Sequence, residues 1–213
     1  MLEVAKYALI VAAGYLLGNF NTGVIVSRLQ SGIDIRQHGS GNAGATNMLR
    51  VLGSQSALLT LIGDIAKGLI AIAVGRWIAG ADGPGGIIGG TAAIAGHCWP
   101  VFFNFKGGKG VATTFGVLCW FFPVAGLLCL AVFVTVFVIS RYVSLGSVMA
   151  ALFGGVYVCY THWGDALACC AAALWCAIIL ARHGSNLKRL WNGAENKLDF
   201  SAFSSKVKRK KSG

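Results

Sequence analysis

Charged residues are scarce in this chain of 213 residues, and acidic ones are the scarcest. Only 12% of the residues are charged, against roughly a quarter in soluble domains. Asp and Glu together number 7, whereas 56% of the residues are hydrophobic. This composition excludes an ordinary soluble domain and predicts an all-α, polytopic integral membrane protein.

Proline is also rare, with 3 residues in the chain, and no Pro-rich or Ser-rich linker divides the sequence. We therefore expect a single membrane-embedded domain over residues 1–213, with a basic tail at about 199–213. The first apolar run lacks the charged start and small-residue cleavage pattern of a signal peptide, so it is predicted to be a span. No Cys-x-x-Cys or Cys/His ligand spacing occurs, so neither a metal site nor any cofactor is expected.

The distribution of Lys and Arg predicts the topology, because basic residues mark cytoplasmic loops. If the run at 111–139 crosses the membrane once, the basic C-terminal segment is forced outside. If the run crosses twice and turns near Pro123, every basic cluster is cytoplasmic. The sequence thus predicts seven spans with the N-terminus outside and the C-terminus cytoplasmic, although 111–122 would form a helix of only about 18 Å. The apolar runs lie at about 7–26, 55–78, 86–103, 111–139, 143–160 and 166–181.

Three polar segments, at residues 36–50, 96–110 and 182–195, interrupt the apolar runs. Glycine, Asn and Ser beside fixed positive charge suit a phosphate group, because they supply backbone and side-chain donors. In the predicted topology all three segments meet at the cytoplasmic face, which indicates one site for phosphorylated substrates. The Gly39-x-Gly41-x-x-Gly44 spacing is no dinucleotide fingerprint, since no strand precedes it.

Two features of the sequence have a structural interpretation as well as a functional one. His97 lies beside Trp99 and Pro100 at the end of a span, where an interfacial anchor is the ordinary explanation. Asp64 and Lys67 lie three residues apart on one helix face, where they could serve function or form an internal ion pair.

With these segments in view, the chain resembles the bacterial PlsY family of acyl-phosphate-dependent glycerol-3-phosphate acyltransferases from about residue 8 to 196. A departure is Asn19-Phe20-Asn21-Thr22-Gly23, where the family commonly has Ser-x-Pro. The motifs that carry the resemblance are Gly39-Ser40-Gly41-Asn42-Ala43-Gly44-Ala45-Thr46-Asn47-x-x-Arg50, Gly96-His97-x-x-Pro100 with Lys106-Gly107-Gly108-Lys109-Gly110, and Arg182-His183-x-x-Asn186-x-x-Arg189 with Gly193-x-Glu195.

The resemblance implies transfer of a fatty acyl group from acyl phosphate to the sn-1 hydroxyl of glycerol 3-phosphate, giving lysophosphatidic acid and phosphate. Ser40, His183 and Asn186 are then expected to be catalytic. Ser40 and the backbone at Gly41 and Gly107-Gly108 would hold acyl phosphate, whereas His183 and Asn186 would position the glycerol hydroxyls. The remaining residues expected to bind substrate are Arg50, Lys109 and Ser147 at the glycerol phosphate group, with Asn42, Asn47, His97, Lys106 and Glu195.

None of the four histidines is followed five residues later by Asp, and no Gly-x-Ser-x-Gly elbow occurs. An acyl phosphate is already activated, so we expect catalysis by positioning and charge stabilisation. The hypothesis is that the substrate's phosphate assists deprotonation, with His183 as the fallback base and no acyl-enzyme on Ser40.

The expected partners are membrane lipids and, transiently, the enzyme of PlsX type that produces acyl phosphate; nucleic acid is not expected. The expected location is the bacterial plasma membrane, with the site on the cytoplasmic face. Two other functions fit the sequence less well. A small phosphate or polyol transporter would normally show inverted repeats, and none is visible. A lipid-binding scaffold would not need Asn47, Asn186 or Glu195.

Overall fold

The computed structural model describes residues 1–198, and within that range every regular element is helical. The basic tail predicted at about 199–213 lies outside the described residues. Two 3₁₀ turns, Ile35–Gln37 and Val101–Phe103, lie in the loops. The α-helices are α1 Leu2–Gly18, α2 Thr22–Ser31, α3 Ala45–Leu52, α4 Ser54–Ala79, α5 Gly85–Cys98, α6 Val111–Phe121, α7 Pro123–Ser140, α8 Val143–Thr161, α9 Ala166–Arg182 and α10 Gly184–Trp191.

Five helical stretches in the described part of the chain are long and apolar enough to cross a membrane. A sixth is counted if α9 and α10, which meet at an angle of 57°, form one bent span. The prediction of an all-helical, multi-span membrane protein is therefore confirmed. The count of seven spans and the orientation of the termini stay predictions.

The predicted break near Pro123 is present, because α6 ends at Phe121 and α7 begins at Pro123. Proline suits this first helical position, where its missing N–H would have no partner anyway. A Cβ added at Gly126 would overlap Cys119 Sγ, so the chain turns back sharply here. Helix α6 has 11 residues, which at about 1.5 Å per residue is roughly 16 Å. Whether this short helix traverses the bilayer stays a prediction.

Glycines hold α5 tightly between α1 and α4. A Cβ at Gly18 would overlap the carbonyl oxygen of Ala93, and a Cβ at Gly75 would overlap that of Gly85. Such small residues let helix backbones approach closely where lipid offers no hydrophobic driving force. The close packing fixes the C-terminal end of α5, which carries His97, against the middle of α4.

Residues 19–23, where the chain lacks the Ser-x-Pro common in the resembled family, interrupt the first span between α1 and α2. Asn19 Nδ2 donates to the Tyr15 carbonyl oxygen at 2.6 Å, and the Phe20 carbonyl oxygen accepts from Lys67 Nζ at 3.0 Å. The break therefore releases a backbone acceptor that a buried lysine of α4 uses.

Candidate active site

One cavity of about 340 Å³ receives residues from all three polar segments. This convergence was predicted from charge and topology alone. The polar part of its lining comprises Ser40, Asn42, Thr46, Asn47, Asp64, His97, Lys109, Thr114, Ser144, Ser147 and His183. The apolar part runs between α4, α6, α7, α8 and α9.

The segment 36–50 folds around the buried amide of Asn47. The carbonyl oxygens of Ile35, His38 and Asn42 lie 3.1, 2.9 and 2.8 Å from its Nδ2 and share the two N–H donors of that nitrogen, and its Oδ1 accepts from Ser40 N–H at 2.8 Å. Asn47 therefore fixes the loop that presents Ser40 to the cavity. Its predicted contact with substrate stays a prediction, since its polar atoms already have partners.

The predicted backbone donor at Gly41 is engaged, because its N–H bonds to the His38 carbonyl oxygen at 3.1 Å. Asn42 Oδ1 likewise takes the N–H of Gly44 at 3.3 Å. The amides of Ala45 and Thr46, in the first turn of α3, lack partners within the helix. Both residues line the cavity, so the helix N-terminus supplies the positive end expected of a phosphate site.

Hydrogen bonds from the Arg182 side chain fix the backbone of the loop 104–110. Its Nε and Nη2 donate to the carbonyl oxygens of Gly108 and Gly107 at 3.0 and 3.1 Å. Gly108 N–H bonds to the His97 carbonyl oxygen at 3.1 Å, so the backbone donor predicted there is also engaged. The side chain of Lys106 is exposed, and its carbonyl oxygen accepts from Arg36 at 3.4 Å, so Lys106 does not line the cavity.

Lys109, in contrast, is half-buried and faces the cavity. Burial lowers the pKa of its amine to about 8; Glu195 opposes this shift, while Arg189, Arg50 and Arg182 lower the pKa further. The positive charges around the amine thus outnumber the one carboxylate that opposes them, and a phosphate dianion would neutralise this excess.

Glu195 organises the third segment. Its side chain is 6% exposed, and it accepts hydrogen bonds from Asn186 Nδ2 at 2.6 Å, Ser144 Oγ at 2.9 Å and Arg189 Nε at 2.8 Å. Burial alone would raise the pKa of Glu195, but these bonds outweigh burial and lower it. Asn186 Oδ1 remains a buried acceptor without a partner in the described part of the chain. Glu195 thus fixes the amide that carries this open acceptor, although neither Glu195 nor Asn186 is among the residues that line the cavity.

His183 lies at the junction of α9 and α10 with 1% of its surface exposed. Its Nδ1 lies 2.8 Å from the Ile179 carbonyl oxygen. A carbonyl only accepts, so Nδ1 carries the proton and Nε2 is the ring atom able to accept one. Ser147 lines the cavity and donates to the Val143 carbonyl oxygen at 2.9 Å, which leaves its oxygen able to accept a further bond.

Arg50 lies at the edge of the site and does not line the cavity itself. Its Nη2 donates to the Asn196 carbonyl oxygen at 3.1 Å. Burial lowers the pKa of the guanidinium, and Glu195 opposes that shift. The contact with Asn196 ties α3 to the segment that carries Glu195.

A buried polar network on α4 and α5 forms one wall of the cavity. Lys67 Nζ lies 2.8 Å from Asp64 Oδ1 and 2.6 Å from His97 Nδ1, and Thr22 Oγ1 donates to Asp64 at 3.1 Å. Asp64 and Lys67 do form the internal ion pair that was one of the two sequence interpretations. Sequence reasoning missed its link to His97, which is 30 residues away; the three-residue spacing shows only the pair.

The apolar part of the cavity follows one stripe of α8 and includes Trp175 of α9. Trp175 is buried, and its Nε1 donates to Thr91 Oγ1 at 2.9 Å. The stripe contains Val143, Ser144, Ser147, Ala150, Ala151, Gly154 and Gly155, which recur at helical spacing. The polar lining of one end therefore continues into an apolar groove. Among residues 1–198, no three His, Cys, Asp or Glu side chains gather as a metal ion would require.

The chain matches the family model described as Glycerol-3-phosphate acyltransferase over residues 8–193. It is 40% identical over 201 residues to the glycerol-3-phosphate acyltransferase of Clostridioides difficile, covering 92% of this chain and 98% of the relative. It is 44% identical over 195 residues to that of Halalkalibacterium halodurans, covering 89% and 94%.

Crystal structures of PlsY, an integral membrane glycerol 3-phosphate acyltransferase, have a similar fold. The glycerol 3-phosphate form gives a TM-score of 0.85 at 34% identity, covering 94% of this chain and 99% of that one. The lysophosphatidic acid form gives 0.82 at 33% identity, covering 93% and 98%.

Proposed function

This chain belongs to the glycerol-3-phosphate acyltransferase family, and from that premise we propose that its acyl donor is acyl phosphate and its acceptor the sn-1 hydroxyl of glycerol 3-phosphate. The products are lysophosphatidic acid and inorganic phosphate. The relatives and solved structures named above are glycerol-3-phosphate acyltransferases, so the alternative of a phosphate or polyol transporter is not favoured.

The observation that carries the proposal is the continuity of one cavity from a phosphate-suited end to an apolar groove. An acyl phosphate has the same two parts, an anionic head and a hydrocarbon chain. The groove between α6, α8 and α9 suits the chain, and the polar end suits both phosphate groups. Free inorganic phosphate has no apolar part that could occupy the groove.

The phosphate of the donor is placed at Ser40 and the N-terminus of α3, where the amides of Ala45 and Thr46 lack helical partners. These amides replace the Gly41 donor that the sequence suggested. The glycerol phosphate group is placed at Lys109, Arg50 and Ser147.

The hydroxyls of glycerol 3-phosphate are placed at the open acceptors of the third segment. Asn186 Oδ1 is buried without a partner, and it suits the hydroxyl that does not react. His183 Nε2 suits the reacting hydroxyl, because its ring orientation is fixed through Nδ1. Both acceptors attract a hydroxyl hydrogen, which orients the oxygen lone pair toward the donor's carbonyl carbon.

In the reaction, the glycerol oxygen bonds to the acyl carbon and the bond from that carbon to the phosphate oxygen breaks. The hydroxyl proton passes to the departing phosphate, directly or through His183 Nε2, and no acyl group is carried on Ser40. The protein contributes positioning and fixed positive charge.

We further propose that residues 1–213 form a single domain with seven spans in the bacterial plasma membrane. The outward N-terminus and cytoplasmic C-terminus follow from the basic loops. The site then opens to the cytoplasm, where glycerol 3-phosphate is dissolved. Acyl phosphate would arrive through the lipid or by transient contact with the PlsX-type enzyme that makes it.

The test is lysophosphatidic acid formation by the purified protein from glycerol 3-phosphate in chelator-containing buffer. Palmitoyl phosphate, palmitoyl-CoA and palmitoyl-acyl carrier protein are offered separately. Product from palmitoyl phosphate alone supports the proposal. Product only from a thioester would overturn the assignment of the donor, and an acyl-serine trapped on Ser40 would overturn the mechanism.

A further inference from the structure

The buried ammonium of Lys67 has three acceptors for its three N–H donors. They are Asp64 Oδ1 at 2.8 Å, the Phe20 carbonyl oxygen at 3.0 Å and His97 Nδ1 at 2.6 Å. An ammonium group donates and cannot accept. The carboxylate at 2.8 Å favours the charged form of the lysine. His97 Nδ1 must therefore accept, and the ring proton lies on Nε2.

The contact of His97 with Asp64 does not change this assignment. His97 Nδ1 lies 3.5 Å from Asp64 Oδ1, a longer separation than its 2.6 Å from Lys67 Nζ. A hydrogen bond weakens as the donor moves beyond about 3.2 Å from the acceptor. The lysine thus decides which ring nitrogen carries the proton.

The Nε2 edge of His97 lies beside Gly108 of the second segment. His97 is 4% exposed and lines the cavity, and a Cβ added at Gly108 would overlap its Nε2. Among the described residues, no side chain or backbone group forms a hydrogen bond with this nitrogen. The glycine therefore leaves room for a donor N–H beside the loop where the Gly108 amide is already engaged.

We propose that His97 acts as a neutral, tautomer-locked donor that binds a phosphoryl oxygen of acyl phosphate through Nε2–H, with Lys67 and Asp64 as its positioning residues. This inference rests on the proposed function. His97 replaces the backbone donor that the glycine pattern suggested at Gly108. It does so without adding charge to a cavity wall that already contains an ammonium.

His97 keeps its proton throughout the reaction. The bond between the acyl carbon and the phosphate oxygen breaks, and its electron pair stays on that oxygen. The new ester bond forms to the glycerol oxygen, and the hydroxyl proton ends on the released phosphate. A donor held at the phosphate stabilises the charge that accumulates there as the bond breaks.

The first test compares H97Q with H97N in steady-state kinetics with palmitoyl phosphate. The Gln amide nitrogen can take the place of Nε2 and donate, whereas the Asn amide reaches only the position of Nδ1. Loss of one preorganised donor lowers kcat by about 100-fold to 1,000-fold. We expect a loss of this size in H97N. The kcat of H97Q should be at least tenfold higher than that of H97N. The KM for glycerol 3-phosphate should change little, since the residues proposed to bind that substrate do not include His97.

Equal losses in H97Q and H97N would mean that only packing matters, and would overturn the proposal. A kcat in H97N close to that of the wild type would overturn it as well. Wild-type activity with palmitoyl phosphate is measured first, so a failure of the proposed donor is seen separately, before any variant is compared.

The second test measures the protonation of the His97 ring directly and does not depend on the activity of any variant. Full-length protein in lipid nanodiscs, labelled with ¹⁵N-histidine, reports the tautomer of each ring, and the His97 signals are assigned by their absence in H97Q. We expect His97 to show a protonated Nε2 and an unprotonated Nδ1 from pH 6 to pH 9. The charged groups around the ring are Asp64 and Lys67 from α4 and Arg182 from α9. A protonated Nδ1, or a ring that titrates in this range, would overturn the proposal even if H97N failed to fold.

Discussion

His97 and His183 line the same cavity as opposite tautomers, with the proton on Nε2 in His97 and on Nδ1 in His183. Lys67 Nζ lies 2.6 Å from His97 Nδ1, so His97 offers an N–H at Nε2. The Ile179 carbonyl oxygen lies 2.8 Å from His183 Nδ1, so His183 offers a lone pair at Nε2. One histidine is thus prepared to donate to an anion, and the other to accept from a hydroxyl. This asymmetry makes His183, and not His97, the side chain suited to take a proton from glycerol.

The first prediction concerns pH and Lys109. Burial lowers the pKa of its amine to about 8, so in the free enzyme the charge is present below pH 8 and is lost as the pH rises above it. Glycerol 3-phosphate becomes a dianion above about pH 6. We expect kcat/KM for glycerol 3-phosphate to rise through pH 6 and to fall through pH 8.

The matched variant for this prediction is K109R, whose guanidinium stays charged across the range. Its absolute activity should be lower, because Arg and Lys bind phosphate with different geometry. Its alkaline decline should nevertheless move to higher pH. An unchanged decline in K109R would show that another group titrates.

Part of this site could be predicted from sequence because it depends on local composition. The segments 36–50, 96–110 and 182–195 cannot lie in lipid, and the basic residues place them on one face. Their convergence on one cavity follows, and so does a break at Pro123, which begins α7.

The rest depends on contacts between distant residues. The amide of Gly108 is engaged by the carbonyl of His97, and the ring of His97 is oriented by Lys67 on another helix. Spacing along the chain does not reveal either bond. A glycine-rich pattern indicates that a backbone can approach a ligand, but not which N–H groups remain free.

The second prediction concerns Asn47, whose amide joins three carbonyl oxygens to the Ser40 N–H. Replacing it with Ala leaves the Ser40 N–H and the Asn42 carbonyl oxygen unpaired, at about 1–3 kcal/mol for each one that water does not reach. The Ile35 and His38 carbonyl oxygens keep backbone N–H partners. We expect N47A to lower the Tm and to reduce kcat/KM for both substrates by more than tenfold. The control is N192A, because Asn192 is exposed at the end of α10. Wild-type kinetics in N47A would contradict a positioning role.

The third prediction concerns Glu195, which holds Asn186, Ser144 and Arg189. A Gln at this position replaces one carboxylate oxygen with an NH2 group, which donates hydrogen bonds and cannot accept one from the three neighbouring donors. The loss of a charged acceptor is worth about 1.5–3 kcal/mol. We expect E195Q to lower kcat/KM for glycerol 3-phosphate by about 10-fold to 100-fold, measured with palmitoyl phosphate saturating.

The control for Glu195 is E3Q, which changes the other glutamate in the chain. Glu3 pairs with Lys6 on an exposed helix face at 2.9 Å, far along the sequence from the site. Its activity should match that of the wild type. Equal kinetics in E195Q and E3Q would mean that the orientation of Asn186 does not depend on the carboxylate.

The fourth prediction tests the groove with the pair A151F and V156F, both on α8. Ala151 lines the cavity, whereas Val156 is 71% exposed on the outer face. A Phe at 151 fills space that the acyl chain would occupy, and overpacking of this kind costs about 1–3 kcal/mol. Ala151 lies one helical turn, about 6 Å, beyond Ser147, so a four-carbon chain ends before the obstruction. A151F should therefore lose more than tenfold in kcat/KM with palmitoyl phosphate and little with butyryl phosphate. V156F should change neither. An equal loss with both donors would indicate a folding defect, and no loss with either would place the chain elsewhere.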